Sequence, residues 1–92
     1  MLQKADQKLI YAAQVRAARA LLNWSQGDLA VRAGISKQSV NRIESGTLDA
    51  RFSTVSALSE ALRSAGVEMG EDAAGVVHIV IASARLFTIN VN

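Results

Sequence analysis

Between Lys8 and Leu22 apolar side chains recur at helical spacing, through Tyr11, Val15, Ala18 and Leu22, on an alanine-rich background. That spacing predicts a first helix. Asn23 and Trp24 interrupt it, and Ser25 then offers a hydroxyl to the free amides of a second helix, with Asp28 three residues on, close to a capping box. The second helix is predicted to run to about Ala33. Gly34 stands where a helix ends in a left-handed turn, Ile35 follows as an apolar plug, and Ser36 caps a third helix. This third helix is predicted to reach about Ser45, with Gly46 as its terminator. Thr47 to Phe52 reads as a loop. Ser53 is the expected cap of a fourth helix, whose Val55, Leu58, Leu62 and Ala65 form one apolar stripe ending at Gly66.

Beyond Gly66 the period changes. Val67 to Met69 is a short β-like stretch, Gly70 to Gly75 a polar turn, and Val76 to Ala82 is rich in valine and isoleucine, which together predict a β-hairpin. Leu86 to Val91, after Ser83 to Arg85, is again β-prone, so the tail holds two or three strands. The expected fold class is mainly α: a helical bundle over residues 1–66, followed by a C-terminal β-hairpin or short β extension over residues 67–92.

Candidate chemistry concentrates on the third helix. At about 100° per residue, Val40 and Ile43 define one side, with Ser39 and Glu44 beside them. Lys37, Gln38, Asn41, Arg42 and Ser45 take the other. That outer side carries two cations and two side-chain amides, with no carboxylate and no large apolar group. Arginine or lysine donates to guanine, and glutamine or asparagine makes paired bonds to adenine, so Lys37, Gln38, Asn41 and Arg42 are the candidate base-reading residues. Two short helices joined through a glycine corner cross steeply and lift the second into a groove. Small Ala30 and Ala33 would let the pair approach closely, with Leu29, Ile35, Val40 and Ile43 as shared core.

The run Ser25-Gln26-Gly27-Asp28-Leu29-Ala30, then Ala33-Gly34-Ile35-Ser36, then Ser39-Val40-Asn41-Arg42-Ile43-Glu44-Ser45-Gly46 resembles the Cro and phage-repressor (XRE-like) helix-turn-helix family, over about residues 12 to 65. The resemblance implies a bundle of four or five helices whose members bind two-fold operators as dimers. It places Gln26 at the start of helix two, where the family contacts a phosphate and braces the recognition helix, and it matches Lys37, Gln38, Asn41 and Arg42 to base-facing positions. Arg19 and Glu44 match a partly buried structural ion pair, and Thr47 and Arg51 match a loop that in the family approaches the phosphate backbone or the minor groove. Gln26, Ser39, Thr47, Arg51 and Arg16 make up the expected phosphate-contacting set. The β-rich tail departs from the family's helical ending.

Composition narrows the remaining options. Ninety-two residues suffice for one folded unit. The absence of cysteine and proline points to a compact intracellular protein without disulfides or thiolate-bound metal. The apolar runs fall short of the roughly 20 residues that cross a bilayer. Met1 to Gln7 lacks the plan of a signal peptide, so no membrane partner is expected and the expected location is the cytoplasm. Residues 1–65 hold nine of the ten basic side chains against five acidic ones, a net of +4, and residues 66–92 a net of −2. An excess of that size supports nucleic acid as a partner only in company with the geometry of helix three.

There is no second histidine, paired carboxylate set or phosphate-cradling glycine loop followed by lysine, so no enzyme, metal or cofactor is expected. His78 alone cannot build a zinc site and is expected to be packed or at an interface. Trp24 and Phe52 adjoin helix ends and are assigned to the core, and Arg32 and Arg63 to solvated surface.

The expected function is a double-stranded DNA-binding transcriptional regulator, a repressor acting as a homodimer. Val76 to Ile81 is apolar at nearly every position except His78, so both faces of such a strand need cover. Pairing with a second subunit through the C-terminal strands would supply it, and the alternative is that Leu86 to Asn92 covers the hairpin of its own subunit. Two other readings share the module: an antitoxin-type autorepressor whose tail holds a toxin, and a helix-turn-helix scaffold that binds protein rather than DNA.

Overall fold

The computed structural model describes residues 4–47 and 51–82. Within them the chain forms α1 (Lys4–Leu21), α2 (Gln26–Ala33), α3 (Lys37–Glu44), α4 (Phe52–Ser64), β1 (Val67–Glu71) and β2 (Val77–Ile81). The four helices and the hairpin are those expected from the apolar periods. The predicted strand at Leu86 to Val91 lies outside the described residues.

Three helices end in the same way. Asn23 (φ 57°), Gly34 (φ 71°) and Gly46 (φ 74°) are all left-handed. At each, two successive amides fold back onto carbonyls of the last turn: Asn23 and Trp24 onto Ala20 and Arg19, Gly34 and Ile35 onto Val31 and Ala30, Gly46 and Thr47 onto Ile43 and Arg42. These paired bonds satisfy carbonyls that a helix end otherwise leaves open. Glycine suits position 46 for its left-handed φ, and a Cβ there would also push against the tip of the Leu9 side chain, 2.8 Å away at Cδ2.

α1 begins before the apolar period does, since Lys4, Ala5 and Gln7 are good helix formers. α4 departs from expectation at its start. Arg51, rather than Ser53, is the N-cap: its carbonyl accepts from Val55 N–H at 3.0 Å, and no side chain caps the turn. Arg51, Phe52 and Ser53 are all exposed, so water can satisfy the free amides. Phe52 is not in the core as assigned but 86% exposed. It lies about 120° around the helix from buried Leu58, off the stripe that faces inward.

The core joins Val15, Ala18 and Leu22 of α1, Trp24, Leu29 and Ala30, Val40 and Ile43 of α3, and Leu58 and Leu62 of α4, and continues through Ala65 into Val67. β1 and β2 pair antiparallel, with Val67 opposite Ile81, Met69 opposite Ile79 and Glu71 opposite Val77. Val67 is buried, and Met69 and Ile79 pack against the core, so these residues define the inner face of the hairpin. The turn comes later than predicted: Gly70 and Glu71 are in β1, and Val76 is in the turn. The Asp72 carboxylate accepts from the amides of Ala74 and Val76, both at 2.9 Å, and so anchors the reversal at Asp72. Gly70 faces His78 across the ladder, and a Cβ at Gly70 would meet His78 Nε2 at 2.5 Å. His78 is therefore an exposed ring lying over Gly70 on the outer face, not a packed core residue.

The Tyr11 hydroxyl is buried with no hydrogen-bond partner among the described residues, and burial pushes its pKa up to about 12. A buried unsatisfied hydroxyl costs about 1–3 kcal/mol.

Three substitutions test this packing, each by urea unfolding with Trp24 fluorescence. Leu58→Ala should lose about 2–5 kcal/mol through the cavity it leaves, and Phe52→Ala should change stability by less than about 0.5 kcal/mol. Tyr11→Phe should be neutral or stabilising at pH 7. The folded pKa of Tyr11 is raised above the unfolded value of about 10, so its favourable balance holds below pH 10 and is lost as pH rises through 12. The Phe variant should lose less stability across that window.

Candidate nucleic-acid interface

α3 presents two sides of opposite character. Val40, Ile43 and Glu44 are buried, at 0, 2 and 4% exposure. Lys37, Gln38, Asn41, Arg42 and Ser45 are all exposed, as the angular reading of the helix expects. The four candidate base-reading side chains thus share one surface, with no carboxylate of α3 among them.

The local sequence sets where this surface begins and ends. Ser36 caps α3 by accepting from Ser39 N–H at 3.0 Å, and its hydroxyl donates to Ser39 Oγ at 2.9 Å. Ser39 is accordingly half-buried and engaged at the cap. At the far end Ser45 Oγ donates to the Arg42 carbonyl at 2.9 Å and lies 2.9 Å from Thr47 Oγ1, which donates to the same carbonyl at 3.3 Å. Thr47 and Arg51 are both exposed and flank residues 48–50, which lie outside the described residues.

α2 starts in a full capping box: Ser25 Oγ accepts from Asp28 N–H at 2.9 Å, and Asp28 Oδ2 accepts from Ser25 N–H at 2.8 Å. The Ser25 backbone N–H, followed by its hydroxyl, holds the Asp28 carboxyl below the usual carboxylate range. Gln26, the first residue of α2, points at α3. Its Nε2 donates to Glu44 Oε1 at 3.0 Å, and its Oε1 accepts from Asn41 Nδ2 at 3.5 Å.

Glu44 is the centre of the arrangement. Its Oε2 accepts from Arg19 Nε at 2.8 Å and its Oε1 from Arg19 Nη2 at 2.9 Å, a two-pronged pair. Arg19 Nη1 also donates to the Trp24 carbonyl at 2.9 Å, and the hydrogen bonds to Glu44 raise the guanidinium further above its ordinary pKa. The ion pair expected from the family resemblance is therefore present in the fold. Arg16 donates to the main-chain carbonyl of Glu44, one turn before Arg19 on α1. Only one of its five N–H donors is engaged there, and its side chain remains exposed.

Two partners were not read from the sequence: the Glu44 carbonyl for Arg16, and the Glu44 carboxylate for Gln26, whose bracing of the recognition helix the family resemblance does imply. A signal for the first does exist, because residues three apart on a helix are neighbours and Arg16 and Arg19 must reach the same region. Arg32 lies over the ring of the buried Trp24 at 4.5 Å, and exposed Arg63 forks onto exposed Glu60, so each of these arginines has a partner within the chain.

Two short helices closed through a left-handed glycine, the second exposing amides and cations, define a helix-turn-helix domain. A helix-turn-helix family model matches residues 15–68, and the chain belongs to that family, the DNA-binding regulators of the Cro and phage-repressor type. No curated protein sequence matches the chain. Among the described residues no helix is long and apolar enough to cross a membrane.

The side chain of Glu44 is only 3% exposed and that of Arg19 23%, whereas those of Glu60 and Arg63 are about half-exposed. Arg19→Ala should therefore cost about 3 kcal/mol or more, because it leaves a buried carboxylate uncompensated. Arg63→Ala should cost no more than about 0.5 kcal/mol. Urea unfolding of the two variants side by side checks the contrast.

Proposed function

We propose that the protein is a transcriptional repressor that occupies a two-fold operator as a homodimer, with α3 of each subunit in the major groove at half-sites about 10 base pairs apart. The observation that carries this reading is the exposed side of α3, where Lys37, Gln38, Asn41 and Arg42 stand together on a helix braced at Glu44 by Arg19 and Gln26. In this reading Lys37 and Arg42 donate to guanine, and Gln38 and Asn41 pair with adenine. The Gln26–Asn41 bond orients the Asn41 amide before DNA arrives, which lowers the ordering cost of the contact. Gln26, Ser39, Thr47, Arg51 and the free donors of Arg16 contact phosphates around the groove.

The C-terminal extension, residues 67–92, is the proposed dimer element. Val77, Val80 and Ile81 of β2 are exposed at 37, 47 and 44%, apolar surface that a second subunit would remove from water. The same surface favours one second reading, an antitoxin-type autorepressor in which the extension holds a protein partner instead.

Sequences selected from a random DNA pool supply the operator for the test. Gln38→Ala and Arg42→Ala should each weaken binding to it by about 1–3 kcal/mol and relax preference at one base position. The affinity of the parent protein should fall steeply with salt. Unchanged affinity and base preference in both variants would remove α3 as the reading element, and no binding even at low salt would remove DNA as the partner.

A further inference from the structure

The amides that lead from the core to the outer side of α3 run in one direction, and a carboxylate sets it. An ionised carboxylate only accepts hydrogen bonds, whereas a side-chain amide has one accepting and one donating end. Glu44 accepts from Arg19 Nε at 2.8 Å and from Arg19 Nη2 at 2.9 Å, the charged partner of a guanidinium. Gln26 can bond to such a group only through its nitrogen, and its Nε2 lies 3.0 Å from Glu44 Oε1. Its Oε1 is thereby turned away from the carboxylate. Asn41 then meets that oxygen with its own nitrogen, Nδ2 to Oε1 at 3.5 Å. Asn41 and Glu44 stand three residues apart and so are neighbours on α3, which lets a single glutamine span both.

Each amide is left with defined free groups. Gln26 keeps one N–H of Nε2, the donor available to a phosphate. Asn41 keeps Oδ1 and one N–H, and its side chain is exposed, as are those of Gln38 and Arg42. When Gln26 takes the N–H that lies away from Oδ1, the free N–H and Oδ1 form one edge of the planar amide, an acceptor and a donor side by side.

We propose, resting on the reading of α3 as the helix that contacts bases, that Glu44 is a specificity-determining residue: acting through Gln26, it fixes the direction of the Asn41 amide and so confines Asn41 to adenine. Adenine presents a donor at N6 and an acceptor at N7, which match that edge. Guanine presents acceptors at both O6 and N7, so one of them would face Oδ1 unpaired. An asparagine free of Gln26 can turn both N–H groups toward guanine, and the braced one has already committed one of them. Discrimination thus comes from an arrangement withheld as much as from a bond made. Glu44 is 4% exposed and touches no base itself; it is a positioning residue.

Relative affinities for the four bases at each position of the selected operator supply the test. Asn41→Ala should remove an adenine preference of about fivefold to a hundredfold at one position. Gln26→Met leaves the Arg19–Glu44 pair in place and should reduce the preference at that same position by about threefold to tenfold. Combined with Asn41→Ala, it should relax that position no further than Asn41→Ala alone. Glu44→Gln, which can offer Gln26 a donor, should match Gln26→Met while preferences at the other positions are kept. Urea unfolding with Trp24 fluorescence shows which variants are folded, and Gln26→Met decides alone if Glu44→Gln is not. Equal weakening for all four bases in Gln26→Met would make Gln26 a phosphate contact only, which overturns the proposal and leaves α3 as the reading helix. Adenine preference kept by a folded Glu44→Gln would overturn it as well. An Asn41→Ala profile unchanged at every position would instead remove Asn41 from the base-reading set, and the proposal with it.

Discussion

The buried carboxylate of Glu44 is the interaction on which the geometry of the DNA-binding face depends. Removing a carboxylate from water costs several kcal/mol unless its oxygens are fully engaged, and here three donors from two other helices engage them: Arg19 Nε, Arg19 Nη2 and Gln26 Nε2. Because Arg19 is on α1, Gln26 on α2 and Glu44 on α3, the requirement to satisfy one charge fixes three helices relative to one another. Arg16 adds a bond to the Glu44 main chain from the next turn of α1. A planar guanidinium fork tolerates little displacement, so the pair supplies direction as well as attraction. Apolar contact among Val15, Leu29, Val40 and Ile43 supplies the larger share of burial but has no such directional preference.

This arrangement links the inner side of α3 to its outer side. Glu44 holds Gln26, and Gln26 in turn meets Asn41, so a core charge reaches a surface amide through one side chain. The outer side chains need not pack, which leaves their chemistry open to selection for base edges. The inner ones carry the fold. The two roles stay separate because the helical period sorts residues by angle, and the left-handed closures at Gly34 and Gly46 bound the segment before either face can drift.

The hairpin follows different rules. Its inner face is an extension of the helical core at Val67, Met69 and Ile79, while its far strand carries apolar side chains at an edge that the helices do not reach. α1 stands against β1 and only skirts β2, so the residues farthest from the bundle keep the most apolar exposure. Among the described residues such an edge presents unpaired backbone groups, a template for a further strand.

Much of this was legible in the sequence, because the signals involved are local. The helical periods, the Ser25 and Ser36 caps, the glycine terminators and the valine-rich strands each depend on a few neighbouring residues, and the two-sided nature of α3 follows from angle alone. The Arg19–Glu44 pair was reached only through family resemblance, since no local signal joins residues 25 apart in sequence. Three-dimensional packing decided the rest. It turned Phe52 out to solvent, set His78 over Gly70 and engaged Arg16 with the end of α3. It also moved the hairpin turn to Asp72 and, among the described residues, left one side of β2 open. Local sequence can say that a side chain has an apolar or charged character. Which neighbour meets it depends on how separately formed elements fit together, and that is set by the shape and polar satisfaction of the whole core.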